Sequence, residues 1–325
     1  MLKGQRSRIW AALCLAVMLV GAIGAGGCAP NGAADGAQAG QPQVGQPQAE
    51  QPQAVQPQML TVALVPAEDI MKMIDAFEPA MNFVEREVGV EIEMFKATDY
   101  TAVVEAMRAG KVDVAYFGPL SFVLAAKRAN ARAIVAGADE PGKLGTYHSI
   151  MITHKDSGLK SMEDVQRRVG ELTLSFVDPA STSGHLIPRG HLQSLGINVE
   201  ADFKEIVFAG GHDASILAVQ ARKADLGATW EGPFERAIEE GLVTTDDVFV
   251  IWKSDGIPSS PIAVRGDLDE ALVQKLQQAF LALPQEDPAA FAQKEEMWEG
   301  NKGYVKVTNA YYDYIRQLAE ALGQI

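Results

Sequence analysis

The chain has 325 residues, of which 47% are hydrophobic, and its formal net charge is −14. This length is sufficient to bury one large core or two smaller ones. So acidic a chain is not expected to bind nucleic acid or an anionic membrane surface through bulk electrostatics. Any anionic ligand would have to be held by local hydrogen-bond donors.

The first 27 residues have the layout of a secretory signal peptide. Three cationic residues precede the apolar run 9–23, and small residues then lead to Cys28. This layout resembles a bacterial lipoprotein signal, in which Cys28 becomes the lipidated first residue, although Ala25 stands where leucine is usual. An uncleaved signal anchor is the alternative, since the apolar stretch approaches the length of a membrane span. Either reading predicts an exported protein that is anchored at the cell envelope, in the periplasm or on the outer face of the cytoplasmic membrane.

Residues 28–58 form a Pro/Gln-rich linker. Four five-residue units that each open Gln-Pro-Gln follow one another from residue 41 to residue 60. A proline in every unit and very few charges predict an extended spacer, which rises about 3.1 Å per residue where it is polyproline-like. Because Cys14 lies in the signal, Cys28 is the one cysteine expected in the mature chain, and no internal disulfide is expected.

From residue 59 onward, apolar strand-like runs alternate with amphipathic stretches. This alternation predicts an α/β fold with largely parallel sheets. Ten strands are too many for one simple sheet in a chain of this length, so we expect two lobes. The predicted strands are 60–65, 90–95, 112–117, 133–137, 149–154, 172–177, 203–208, 226–230, 248–252 and 262–265. The predicted helices are 69–88, 100–109, 119–129, 162–169, 182–195, 213–222, 232–240, 270–283 and 309–321.

The most informative turn joins a predicted strand to a predicted helix and reads Asp178-Pro179-Ala180-Ser181-Thr182-Ser183-Gly184. The first amides of a helix have no partner within the helix, and together with the positive end of the helix dipole they form a seat for an anion. The three hydroxyls add neutral donors, and Gly184 would let a ligand approach the backbone. Simple helix capping is the alternative, although one such residue would suffice for a cap.

With the other strand-to-helix loops, this turn resembles the substrate-binding proteins of phosphonate and phosphite ABC transporters, a branch of the type II periplasmic binding proteins. The segments that carry the resemblance are Thr98-Asp99-Tyr100, Lys111 to Pro119, Tyr147-His148-Ser149, Asp178 to Gly184, Gly211 to Ala214, Ala228 to Glu231 and Ile257 to Pro261. The resemblance implies a two-lobe fold with two hinge crossings, in which lobe 1 is 59–150 plus 258–325 and lobe 2 is 151–257. It also implies that a ligand is captured in the interlobe cleft and passed to an ABC permease in the membrane, without catalysis.

The resemblance further implies which side chains meet the ligand. The expected contacts are Tyr100 and Tyr147 from lobe 1, and Ser181, Thr182, Ser183, His212 and Glu231 from lobe 2, with Asp213 as a further candidate. A carboxylate beside a buried anion repels it unless a proton lies between them. Because phosphite or a phosphonate can carry that proton and sulfate cannot, we expect Glu231 to act as a filter. Asp213 could play the same part or stabilise the first turn of its helix.

The expected ligand is phosphite or a small phosphonate such as methylphosphonate, while the sequence leaves aminoalkylphosphonates and phosphate open. Two other functions are weighed against transport. One is a sensor of the same fold that serves a signalling receptor. The other is a serine hydrolase that uses Ser181 or Ser183 as nucleophile, with His212 and either Asp213 or Glu231. The hydrolase lacks a Gly-x-Ser-x-Gly elbow. No nucleotide loop, metal-ligand pattern or redox cysteine pair is present in the sequence, so we expect no cofactor or metal, and we expect a monomer.

Overall fold

The computed structural model describes residues 59–325, so the predicted signal, the Cys28 anchor and most of the Gln-Pro-Gln spacer lie outside the described residues. The strands are β1 (Met59–Leu64), β2 (Glu91–Phe95), β3 (Val114–Tyr116), β4 (Arg132–Glu140), β5 (Lys143–Leu144), β6 (Thr146–Tyr147), β7 (Ser149–His154), β8 (Thr173–Phe176), β9 (Glu205–Phe208), β10 (Leu226–Trp230), β11 (Val248–Lys253), β12 (Ile257–Pro258), β13 (Pro261–Val264) and β14 (Gly303–Lys306). The helices are α1 (Ile70–Val88), α2 (Tyr100–Arg108), α3 (Pro119–Ala129), α4 (Met162–Arg168), α5 (Ile187–Ser194), α6 (Val199–Asp202), α7 (His212–Gln220), α8 (Glu231–Glu239), α9 (Glu270–Glu286), α10 (Pro288–Glu296) and α11 (Asp313–Ala321). None of these helices combines the length and the apolarity that a membrane span requires.

The first sheet is built from both ends of the described chain. Its strand order is β14-β4-β13-β3-β1-β2, and β5 extends it by pairing with β4. Strand β1 lies parallel to β2 and β3, whereas β13 lies antiparallel to both β3 and β4. Helix α1 packs against α9 and α10, and α3 packs against α2 and α11. We call this half of the molecule lobe 1.

The second sheet comes from the middle of the chain and has the order β11-β7-β10-β8-β9. Strand β8 is parallel to β9 and β10, and β7 is antiparallel to β10 and β11. The residues of β8 and β10 are all buried, which fits strands covered on both faces. Two separate apolar clusters form the core around this sheet. We call this half lobe 2.

Two short strands lie between the sheets in the chain order and pair with each other. Strands β6 and β12 are antiparallel, with Tyr147 opposite Ile257 and Thr146 opposite Pro258. The chain therefore crosses between the lobes twice and side by side, and the predicted two-lobe α/β fold is confirmed. The boundaries predicted near residues 150 and 257 fall beside these strands.

The prediction of largely parallel sheets is wrong, because both sheets are mixed. The antiparallel pairs involve the strands that lead into or out of the crossings, namely β4, β7, β11 and β13. A chain that returns through a neighbouring crossing enters the sheet in the opposite direction, so these strands cannot all run parallel to the others. In the parallel half of each sheet, the loops from strand to helix point toward the other lobe, as predicted for parallel strands.

Candidate functional site

A small cavity lies between the lobes, at the carboxyl ends of the parallel strands. Its volume is about 30 Å³, which is two to three times the roughly 10–15 Å³ that one water molecule needs. The lining residues are Val65, Ala67, Glu68, Tyr100, Gly118, Tyr147, Ser181, Thr182, Ser183, His212, Trp230, Ser260, Trp298 and Glu299. Both lobes and a crossing strand therefore contribute to one site.

Six of the eight predicted contacts are brought together at this cavity, and all six are buried: Tyr100, Tyr147, Ser181, Thr182, Ser183 and His212. Tyr100 is the first residue of α2, and the Asp99 carboxylate caps that helix by accepting from the Ala102 N–H at 2.7 Å. Tyr147 lies on the crossing strand β6, where its ring packs edge-on against Trp230. These residues are far apart in the sequence, and the fold brings them together.

The three-hydroxyl turn is both a helix cap and a wall of the cavity. Ser181 Oγ accepts a hydrogen bond from the Gly184 N–H at 3.0 Å, as a cap does. Thr182 Oγ1 accepts from the Leu120 N–H of the other lobe at 2.8 Å. A hydroxyl that accepts in this way still has its proton to donate. Both side chains can therefore donate to a ligand while the protein holds their oxygens in place.

Gly184 has a packing role that the sequence did not predict. It lies in a π-helical turn, Thr182–Leu186, that precedes α5. A Cβ at this position would overlap the Val177 side chain, with the Ser181 hydroxyl 2.9 Å away on another side. The glycine thus lets the turn pack against the end of β8, and this close packing fixes where the hydroxyls stand.

The tyrosine and histidine side chains of the cavity are uncharged at neutral pH. Burial raises the pKa of Tyr100 and Tyr147 far above the ordinary value, so both phenols keep their protons. Burial lowers the pKa of His212 to about 3, with the nearby Arg236 acting in the same direction. Its Nδ1 lies 3.0 Å from the Thr229 hydroxyl. His212 begins α7, and the positive end of that helix also favours the neutral form of its imidazole.

Helix starts add to the positive potential of the site. Helices α2, α3 and α7 begin at Tyr100, beside Gly118 and at His212, and the π-helical turn begins at Thr182. Each start directs partial positive charge toward the cavity. No lysine or arginine is among the described residues that line it. Dipoles and neutral donors, rather than cations, therefore make the cavity suitable for an anion.

Several hydrogen bonds and one ion pair cross the cleft and hold the lobes together around the cavity. Besides the bond from Leu120 to Thr182, the His212 N–H donates to the Ala67 carbonyl at 2.7 Å. The Tyr100 N–H donates more weakly to Asp178, at 3.4 Å. Arg236 of lobe 2 forms an ion pair with Glu68 of lobe 1. Burial nevertheless raises the pKa of Glu68 to about 7, against the opposing effect of Arg236.

The structure does not bring the other two predicted contacts, Glu231 and Asp213, to the cavity. Glu231 begins α8 at a neighbouring depression and forms an ion pair with Lys253 at 2.5 Å. Trp230, one residue earlier, takes the place at the cavity. Asp213 accepts from the Ala214 N–H at 2.8 Å in the first turn of α7, which is the helix-stabilising alternative. Glu231 lies outside the cavity, contrary to the prediction, because the chain turns from strand to helix at that residue.

Sequence reasoning missed both carboxylates that line the cavity, Glu68 and Glu299, and also Trp298. Trp298 and Glu299 follow α10, in a stretch for which no element was predicted. Ser260, left undecided by the sequence, also lines the cavity, and its N–H donates to Glu299 at 3.0 Å. One signal was available, because Trp-Glu-Gly occurs twice, at 230–232 and 298–300. The two copies flank the same depression next to the cavity.

No group of three or more His, Cys, Asp or Glu side chains in residues 59–325 is placed to hold a metal ion. Two mixed α/β lobes, two paired crossings and a polar cavity between them define a type II periplasmic binding protein. The model of the family described as "ABC transporter, phosphonate, periplasmic substrate-binding protein" matches residues 62–312. The chain therefore belongs to this family of transporter substrate-binding proteins, whose members are exported and work with a membrane permease.

Individual relatives agree with this assignment. The phosphate-import protein PhnD of Mycolicibacterium smegmatis is 31% identical over 285 residues, which cover 81% of this chain and 86% of that protein. A solved binding protein of a phosphonate ABC transporter from Pseudomonas aeruginosa is 26% identical, with a TM-score of 0.72, over 81% of this chain and 86% of its own. PhnD1 of Prochlorococcus marinus, solved in complex with methylphosphonate, has a TM-score of 0.74 over 83% of this chain and all of its own, at 22% identity. At that identity the last likeness concerns the fold.

Proposed function

We propose that this protein captures phosphite or a small phosphonate, such as methylphosphonate, between its lobes and delivers it to its permease. The observation that carries the proposal is the convergence of hydroxyls and helix starts from both lobes on one cavity of about 30 Å³. Neutral donors recognise a small anion by hydrogen-bond geometry, and a cavity of this volume favours a small substituent over a large one. Contacts made only when the lobes are together favour the closed state once the ligand is present.

The relatives narrow the ligand to phosphorus oxyanions without choosing among them. The Prochlorococcus protein was solved with methylphosphonate, and the Mycolicibacterium protein is named for phosphate import. Phosphate therefore belongs beside phosphite and methylphosphonate in any binding experiment. We propose that phosphite or methylphosphonate binds most tightly. The hydrogen on the phosphorus of phosphite is smaller than a hydroxyl group, and the methyl group of methylphosphonate is of similar size. Either substituent suits a cavity whose remaining wall is aromatic.

The same geometry favours binding over catalysis. Ser181 Oγ is engaged as a helix cap, and His212 contacts the Thr229 hydroxyl. A serine nucleophile needs a base that is oriented by a third group, and the orienting group is usually a carboxylate. We therefore propose that the protein is not an enzyme and that the hydroxyl turn serves only to hold the anion.

We also propose that the mature protein is a monomer anchored through lipidated Cys28, with residues 28–58 as the spacer. The test is expression of the full chain and of Cys28→Ser, followed by fractionation. The wild-type protein should be found with membranes and label with a fatty-acid probe. The variant should lose the label, and equal labelling of both proteins would contradict the anchor.

Isothermal titration calorimetry of the purified protein tests the ligand proposal. The panel is phosphite, methylphosphonate, 2-aminoethylphosphonate, phosphate and sulfate, each at pH 7. We expect phosphite or methylphosphonate to bind most tightly and sulfate to bind at least 100-fold more weakly, which is about 2.8 kcal/mol. Absence of binding by every phosphorus oxyanion would refute the proposal.

A further inference from the structure

Two carboxylates line the cavity, Glu68 and Glu299, and they differ in the charge of their partners. The two oxygens of Glu299 lie 3.0 and 3.3 Å from the Ser260 nitrogen, and Asn301 Nδ2 lies 3.4 Å away. These hydrogen-bond partners in the described chain are neutral. Glu68, by contrast, is paired with Arg236 across the cleft. An anion entering the cavity therefore meets a compensated charge at Glu68 and a carboxylate held by neutral donors at Glu299.

A buried network fixes the segment that carries Glu299. Lys294 is fully buried, lies 5.0–5.5 Å from the centres of four aromatic rings, and forms an ion pair with Glu295. Glu295 accepts from the Asn301 backbone N–H at 2.7 Å and from its side chain at 3.3 Å. Asn301 is in turn 3.2 Å from the Ser259 hydroxyl. The chain between Glu295 and Asn301 is thus tied at both ends.

Two glycines on lobe 1 make room for this network. A Cβ at Gly137 would overlap the Asn301 side chain, and a Cβ at Gly145 would lie 2.5 Å from Asn301 and 2.6 Å from the Ser259 hydroxyl. Asn301 therefore fills a space that only these glycines leave open. Supports of this kind hold a functional side chain in one position.

A carboxylate and an anion at one small site repel each other unless they share a proton. We propose that Glu299 is the specificity-determining residue of this cavity: it shares one proton with the bound oxyanion and so selects ions that can carry a proton over sulfate. The inference rests on the proposed function, and it transfers to Glu299 the filter that the sequence placed at Glu231. Burial of the Glu299 carboxyl group raises its pKa, which agrees with a shared proton.

Four buried tyrosines surround Glu299, and their phenols keep their protons near neutral pH. The surrounding tyrosines, Tyr116, Tyr147, Tyr304 and Tyr312, have pKa values raised by burial, to about 12 for Tyr304. Glu295 is paired with Lys294. Glu68 differs from these groups, since its pKa of about 7 makes it titrate near neutral pH. Any experiment on protons must therefore separate Glu299 from Glu68.

The test measures protons taken up on binding, by calorimetry at pH 8 in buffers of different ionisation enthalpy. Phosphite is the probe, because oxyanions of this kind are mostly dianionic at that pH, with second pKa values near 6 in phosphate esters. The proteins are the full chain, Glu299→Gln, Glu68→Gln and Glu231→Gln. Glu231→Gln is the matched control, since it alters the other Trp-Glu-Gly copy, outside the cavity.

We expect Glu299→Gln to take up about one proton fewer per phosphite than the wild-type protein. It should also lower the preference for phosphite over sulfate at least tenfold, because a glutamine amide can donate to either dianion. Glu231→Gln should keep the wild-type proton uptake and selectivity. Wild-type uptake and selectivity in Glu299→Gln would overturn the inference, and so would a loss of selectivity in Glu231→Gln alone.

Three further outcomes are informative. If Glu299→Gln does not fold, as judged by circular dichroism, Glu68→Gln decides: uptake of about one proton per phosphite supports the inference, and no uptake overturns it. If the wild-type protein binds phosphite and Glu299→Gln behaves like it, only this inference fails. If the wild-type protein binds none of the phosphorus oxyanions, the proposed function fails first.

Discussion

Replacing Thr182 with valine should weaken ligand binding roughly 10- to 100-fold, while the unliganded protein stays folded. The Thr182 hydroxyl accepts from the Leu120 N–H of the other lobe at 2.8 Å, where both groups are buried. Valine keeps the shape and removes the acceptor, so closing the lobes would bury a donor without a partner. When the lobes are apart, water can satisfy that donor, so the loss falls on closure.

The magnitude follows from the cost of an unsatisfied buried donor, about 1–3 kcal/mol, since each 1.4 kcal/mol is a factor of ten in affinity. Loss of the hydroxyl proton that faces the ligand adds to this cost. Calorimetry with the tightest ligand of the panel measures the affinity, and a thermal melt without ligand measures stability. Thr182→Ser keeps the hydroxyl and should bind within a few-fold of the wild-type protein. Wild-type affinity in a folded Thr182→Val protein would refute the role of this cross-lobe bond.

Three further predictions concern packing, pH and the ion pair. Gly184→Ala should lower the free energy of unfolding by about 1–3 kcal/mol in urea titrations and weaken binding, because the new methyl group overlaps a strand end; unchanged values would contradict the packing role. Burial lowers the pKa of His212 to about 3 and of His185 to about 4. Below about pH 6.5 the unfolded chain therefore binds protons that the folded protein does not, and the free energy of unfolding should fall as the pH falls toward those values. The loss should be up to about 1.4 kcal/mol per pH unit for each imidazole. His212→Gln should reduce that slope in urea titrations between pH 4 and 7, and an unchanged slope would contradict its neutral burial. The single variant Arg236→Met should weaken binding more than the double variant Arg236→Met with Glu68→Gln, because the single change leaves the Glu68 carboxylate unpaired in the closed cleft. Equal affinities of the two variants in calorimetry would contradict that reasoning.

The sequence predicted the elements whose patterns are local. Strands β7 and β10 have the predicted bounds, and α3 begins and ends where its Pro119 start and its amphipathic run indicate. Helix α10 was missed even though Asp287-Pro288 is a helix-start signal and Asp287 caps it. Strands β6 and β12 have two residues each, and a pairing that short leaves no periodic pattern to read.

The candidate site was predictable where a loop both begins a helix and resembles the family. Tyr100, the hydroxyl turn and His212 are of this kind, and they meet at the cavity. Glu299 was not predictable in this way, because it reaches the cavity from an irregular segment held by contacts distant in sequence. The choice between Glu231 and Glu299 depends on which way the chain turns after each tryptophan, and only the packing decides that.

The most direct test of the account is a crystal structure of the protein with phosphite or methylphosphonate. We predict one ligand in the cavity, with its oxygens within about 3.2 Å of donors from both lobes. These donors should include Tyr100 or Tyr147 from one side and the 181–183 turn from the other. Glu299 should be the carboxylate nearest the ligand. A ligand held by one lobe alone, or bound outside this cavity, would contradict the account.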